Sequence, residues 1–101
     1  MPRLKSEFFK TLGHPLRIRV LELLGESDRS VTELLAEVGV EQPALSQQLA
    51  VLRRAGLVVS RREGAGAVYS LVDERLAELL AVSRQILLEV ATAARDELGV
   101  L

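Results

Sequence analysis

Cysteine is absent, histidine occurs once and aromatic residues make up only 3% of the 101 positions. Without a thiol there is no disulfide, no iron–sulfur cluster, no thiolate metal site and no thiol redox sensor. A lone imidazole, His14, cannot build a histidine-based metal site within one chain. No stretch reaches the roughly 18 consecutive apolar residues of a membrane span, and the N-terminus opens on charges. Neither a span nor a signal peptide is expected, and the expected compartment is the cytoplasm. Nothing in the sequence places Ser30 or Ser46 near His14, so no nucleophilic triad is legible and no enzyme is expected. No cofactor is expected either. What abounds is aliphatic: 49% of residues are apolar, with a mean hydropathy of +0.22. One domain of this size buries only about two-thirds of its unfolded surface, so the surplus Leu, Val and Ala point to a homodimer.

Net charge is −1, but it is unevenly distributed: residues 1–20 carry +4, 21–41 carry −5, 42–66 carry +3 and 67–101 carry −3. Basic segments that meet in space make a local polyanion site on an otherwise acidic chain. Eleven of the 13 basic residues are Arg, the side chain best shaped for phosphate and base edges.

Hydrophobic periodicity predicts five helices and a hairpin. The first covers Leu4–Leu12, with Leu4, Phe8, Thr11 and Leu12 on one face. Adjacent Phe8 and Phe9 point apart, one toward the core and one toward an interface. Gly13-His14-Pro15 breaks this helix, and His14 is expected to make a local hydrogen bond at the break. Pro15 starts a second helix that places Leu16, Val20, Leu23 and Leu24 inward and stops before Gly25. Ser30-Val31-Thr32-Glu33 has the capping-box pattern and opens a short helix with Val31, Leu34, Leu35 and Val38 inward, ended by Gly39. Gln42-Pro43 starts the next helix, which buries Leu45, Leu49 and Leu52 and closes at Gly56. Its outer face reads Ala44, Ser46, Gln47, Gln48, and the pair forms a helix-turn-helix. Two β-prone runs, Leu57–Arg62 and Ala67–Leu71, joined through Glu63-Gly64-Ala65-Gly66, predict a hairpin wing with Tyr69 packed beneath it. Asp73 caps a long last helix, Glu74–Leu98, with apolar stripes Leu76-Leu80-Leu87-Val90-Ala94 and Leu79-Val82-Ile86-Val90-Ala93. One stripe suits its own domain and the other a partner.

This order of elements resembles the ArsR/SmtB winged-helix repressors over almost the whole chain. Three stretches carry the likeness: Leu12–Leu24, Ala44–Leu49 continuing through Leu52–Val58, and Arg61–Gly64 with Val68–Leu71. The resemblance implies a mainly α winged helix-turn-helix, about five helices plus a two-stranded wing, in one domain over 1–101. Within it, 30–56 would be the helix-turn-helix, 57–71 the wing, and 1–12 with 73–98 the dimerisation helices. It further implies a homodimeric bacterial transcription regulator, usually a repressor, that binds an inverted-repeat operator in double-stranded DNA and releases it to an inducer. Two departures matter. Where founding metalloid sensors have Cys-x-Cys this chain has Ser30 and Thr32, and no His follows residue 14. A thiolate or imidazole metal site is therefore not expected, and an oxygen-only set of Asp73, Glu74 and Glu78 would bind hard cations weakly. What is left is a small organic molecule in an apolar dimer pocket, a partner protein, or control only through the protein's abundance. A winged helix serving only protein–protein contact is the alternative, which the polar outer face and paired arginines oppose.

The expected DNA-binding residues are Gln42, Pro43, Ala44, Ser46, Gln47, Gln48, Arg53, Arg54, Arg61, Arg62 and Gly64. Gln42 and Gln47 carry amides able to pair with adenine, Pro43, Ala44 and Ser46 allow close approach, and the four arginines suit phosphates. The expected dimer interface comprises Leu4, Phe8, Leu79, Val82, Ile86, Leu87 and Val90.

Overall fold

The computed structural model describes residues 1–98, so the last three positions of the expected 1–101 domain lie outside the described residues. Along the chain run α1 (Pro2–Leu12), α2 (Pro15–Glu26), β1 (Arg29–Ser30), α3 (Val31–Val38), α4 (Gln42–Arg54), β2 (Val58–Glu63), β3 (Gly66–Leu71) and α5 (Arg75–Glu97). The break between the first two helices is built from local chemistry. Gly13 donates its N–H to the Lys10 carbonyl and ends α1. His14 then caps α2, its Nδ1 accepting from the Leu16 N–H at 3.2 Å, with Pro15 in the first turn where no N–H is needed.

Helix α2 is the hub. It packs on α1, α3, α4, β3 and α5, which explains why Leu21 is fully buried along with Val20, Leu23 and Leu24. A helix enclosed on several sides needs apolar residues on more than one face. Leu34, Leu45, Leu49, Leu52, Val58 and Leu80 complete the core.

The helix does not stop before Gly25; it continues to Glu26. Gly25 is there for proximity rather than as a terminator. A Cβ built on it would lie 2.7 Å from the Ala77 Cβ, so the bare backbone lets α5 cross α2 closely. Gly25→Ala gains about 1 kcal/mol of helix propensity, yet forcing a methyl into that contact costs roughly 1–3 kcal/mol. The expected net result is destabilisation, read as a lower urea midpoint, and Gly25→Ala combined with Ala77→Gly recovers the loss. A more stable single variant would show that the crossing has slack.

The wing also differs from the expected two strands. Arg29 pairs with Tyr69 and Ser30 with Val68, giving a three-stranded antiparallel sheet in the order β1-β3-β2. Two residues are too short to show a period, so the third strand has no sequence signature. The hairpin itself is tight: Glu63 pairs with Gly66, and Gly64 takes φ 64° in the two-residue turn, the backbone sign that twisted hairpins require.

Asp73 stands before α5 and accepts both the Arg75 N–H at 2.9 Å and the Arg75 guanidinium at 2.7 Å. That ion pair holds the Asp73 carboxyl down at about 2. Of the stripe Leu76-Leu80-Leu87-Val90-Ala94, only Leu76 and Leu80 are buried, whereas Leu87 and Val90 are 67% and 59% exposed. At 23 residues, α5 is about 34 Å long and outruns the core it starts on. No helix among the described residues is long and apolar enough to cross a membrane.

Candidate nucleic-acid interface

The helix-turn-helix is fixed at each joint. Ser30 Oγ accepts from the Glu33 N–H at 3.1 Å while Glu33 Oε1 accepts from the Ser30 N–H at 2.9 Å, a complete capping box at the start of α3. These bonds hold the Glu33 carboxyl below its usual range. Gly39 ends α3 in the left-handed region at φ 67°, and α4 begins three residues later. Leu45, Leu49 and Leu52 root α4 in the core. The opposite face is open: Gln42, Pro43, Ala44, Ser46 and Gln47 are all exposed. Among the described residues the Gln42 and Gln47 amides have no hydrogen-bond partner, which leaves donor and acceptor free for an incoming surface.

Gln48, also in the expected set, is placed differently. Its Oε1 accepts from Arg17 Nε at 2.8 Å, and its side chain is half-buried against α2. Gln48 thus spends part of its acceptor capacity inside the protein, unlike Gln42 and Gln47. Helical geometry explains the split. Gln48 directly precedes the buried Leu49 and lies one turn from the buried Leu45, so it borders the packed face.

The arginines divide in the same way. Arg53 reaches Ser60 Oγ at 3.4 Å, joining the end of α4 to β2. Arg54 is exposed, and it has no ion-pair or hydrogen-bond partner among the described residues. Arg61 and Arg62 are neighbours on a strand and therefore point to opposite faces. Arg61 lies on the face that carries the exposed Val59 and bonds Asp28 at 2.8 Å, Glu63 at 3.1 Å and Ser70 Oγ at 3.1 Å. The Asp28 hydrogen bond leads in raising the Arg61 pKa, and the Arg61 bond leads in lowering that of Asp28. Arg61, expected as a phosphate contact, is thus already paired with two carboxylates within its own chain. Arg62 lies exposed on the strand face that carries Ser60, the side toward α4. Gly64 sits at the wing tip. Strand alternation puts Arg62 on the face of Ser60 and the buried Val58, and Arg61 on the face of the exposed Val59.

A second surface lies away from α4. Phe8, Leu57, Val72, Leu76 and Leu79 line an open groove of about 400 Å³ between α1 and α5, with Asp73 and Arg75 at its rim. Leu4 and Phe8 border an adjoining depression. Phe8 is half-buried and meets Phe9 edge-on at 5.2 Å, while Phe9 is exposed. From this groove the apolar face of α5 continues through Val82, Ile86 and Val90, each at least half exposed. Asp73, a candidate oxygen ligand, is already bonded to Arg75. No cluster of three or more His, Asp or Glu side chains able to hold a metal ion occurs among the described residues.

Comparison with known proteins places this arrangement. The profile of the bacterial regulatory proteins of the arsR family matches residues 14–60. An HTH-type transcriptional regulator of Mycobacterium tuberculosis, Rv0081, is 57% identical over 98% of this chain and 85% of its own length. Its crystal structure superposes with a TM-score of 0.85 at 58% identity, covering 91% of this chain and 93% of that one. A biofilm growth-associated repressor of Agrobacterium fabrum is 45% identical over 70% of this chain and 61% of its own length. The solution structure of a homodimeric winged helix-turn-helix DNA-binding domain from Mycobacterium bovis matches with a TM-score of 0.78 at 28% identity, over 88% of this chain and 82% of that one.

Proposed function

The chain belongs to the arsR family of bacterial regulatory proteins, winged helix-turn-helix transcriptional regulators rather than enzymes, and from that premise we propose that it represses transcription as a homodimer on an inverted-repeat operator. One α4 from each subunit enters the major groove, and the wings follow the backbone to either side. The observation that carries this reading is the pattern of free and engaged side chains. Gln42, Gln47, Arg54 and Arg62 are exposed and have no partner among the described residues, and they lie on α4 and the wing. Free amides serve base edges and free guanidinium groups serve phosphates. A two-fold dimer sets its recognition helices about 34 Å apart, so the operator is an imperfect palindrome. Acting on chromosomal DNA, the protein works in the cytoplasm. The partner surface is the apolar face formed by Leu4, Phe8, Leu79, Val82, Ile86, Leu87 and Val90, because Phe8 and Leu79 share one groove. The effector class that suits a chain without soft ligands is a small organic molecule or a protein.

A mobility-shift titration on the DNA upstream of the protein's own gene, against random competitor, tests the reading. Binding no tighter than to random DNA overturns it. The two wing arginines sharpen the test. Each phosphate contact contributes about 0.9 to the slope of log affinity against log salt, so Arg62→Ala in both subunits lowers the slope by about 1.8. Arg61→Ala leaves the slope unchanged, since its guanidinium is held by Asp28 and Glu63. Equal slopes for the two variants would show that Arg61 leaves its carboxylates for the backbone.

A further inference from the structure

Arg17 lies in the first turns of α2, half-buried where α1, α2 and α4 meet. Its Nε donates to Gln48 Oε1 at 2.8 Å, across 31 residues of sequence. Its Nη1 donates to the Thr11 carbonyl at 3.3 Å. That carbonyl belongs to the last turn of α1, where carbonyls have no partner within the helix. One rigid guanidinium fork therefore joins the end of α1 to the flank of α4. Lysine, with a single flexible ammonium, does not reproduce such a fork. The link matters because α1 is otherwise thinly attached: Leu12 is its one buried residue, and Phe8 is half-buried.

We propose that Arg17 is a positioning residue for operator recognition: through Gln48 and the Thr11 carbonyl it fixes the angle between α1 and α4, and so the half-site spacing that the dimer accepts. This rests on the reading of the protein as a homodimer on an inverted repeat. If α1 lies at the two-fold interface and α4 in the groove, the separation of the two α4 helices depends on that angle. Changing the operator spacing by one base pair moves a half-site by about 3.4 Å along the duplex and turns it by roughly 35°. A rigid dimer cannot follow both changes. A dimer whose α1 and α4 are loosely joined can follow more of them.

The experiment is a spacing series. Inverted repeats of the cognate half-site, at the natural spacing and at one base pair longer and shorter, are titrated with wild type, Arg17→Met, Gln48→Met and Gln48→Glu. The wild type favours its own spacing by roughly a hundredfold, the avidity lost when only one recognition helix can seat. Arg17→Met and Gln48→Met reduce that preference to below about tenfold. Gln48→Glu keeps an acceptor facing Arg17 and keeps the preference. The readout is the ratio between spacings, which a loss of affinity common to all sites leaves unmoved. Should Arg17→Met fail to fold by circular dichroism, Gln48→Met decides alone. A preference retained in the Met variants overturns the inference while leaving the functional reading intact. A wild type indifferent to any inverted repeat overturns both.

Discussion

An Ile86→Glu protein is expected to sediment as a monomer and to bind its full operator about 10²- to 10⁴-fold more weakly than the wild type, because the second recognition helix no longer adds avidity. Ile86 is 53% exposed within its own chain. The substitution therefore removes little from the fold of one subunit, and its thermal midpoint is expected to stay near that of the wild type. Across the two-fold axis the situation differs. Val82, Ile86 and Val90 recur one helical turn apart, so a partner covering them buries Ile86 as well. Two unpaired carboxylates would then lie in one apolar interface, at a cost of several kcal/mol each. Sedimentation gives the assembly state, and mobility shifts on one and two half-sites give the avidity. A stable dimer with unchanged operator affinity would move the interface elsewhere on the molecule.

The second large effect is expected at Gln47. Its amide is exposed on the outward face of α4, with no partner in the protein among the described residues. A bidentate amide–adenine contact discriminates by about 1–3 kcal/mol, and the two-fold operator presents it twice. Gln47→Ala is thus expected to lose roughly 10²- to 10³-fold on the cognate operator, near the middle of that range. On random duplex, where the contact is not made, it loses almost nothing. Competition between labelled operator and unlabelled random DNA separates the two. Equal weakening on both would mean that Gln47 touches the backbone or nothing at all.

Most of the helical framework was legible because helices repeat over many residues. The capping box at Ser30, the stop at Gly39, and the buried trio Leu45, Leu49 and Leu52 each follow from local chemistry. Three features were not legible, for three different physical reasons. Strand β1 is two residues long and acquires its identity only by pairing with β3. Gly25 looks like a helix terminator until α5 is seen to approach it at Ala77. Arg61 looks equivalent to Arg62 until Asp28, remote in sequence, is brought against it. In the candidate site, exposure on α4 followed from the helical period, but the engagement of Gln48 by Arg17 is a contact between distant segments that no period encodes.

The order β1-β3-β2 has a consequence for how the protein avoids the wrong company. β3 is paired with β2 along its whole length, and on its other side Val68 and Tyr69 are covered by β1. The two open edges are blunted in different ways. β1 is too short to template another chain, and β2 ends in Arg61, Arg62 and Glu63, charges that discourage edge-to-edge joining. The sheet of this small domain is thereby closed to the runaway pairing that builds fibrils. The broad sticky area left is the apolar face of α5, a helix whose backbone hydrogen bonds are internal. Association through side chains on such a face, when related by a two-fold axis, saturates at two copies. A sheet that cannot propagate and a helix face that closes on itself let the chain carry 49% apolar residues without a path to open-ended aggregation.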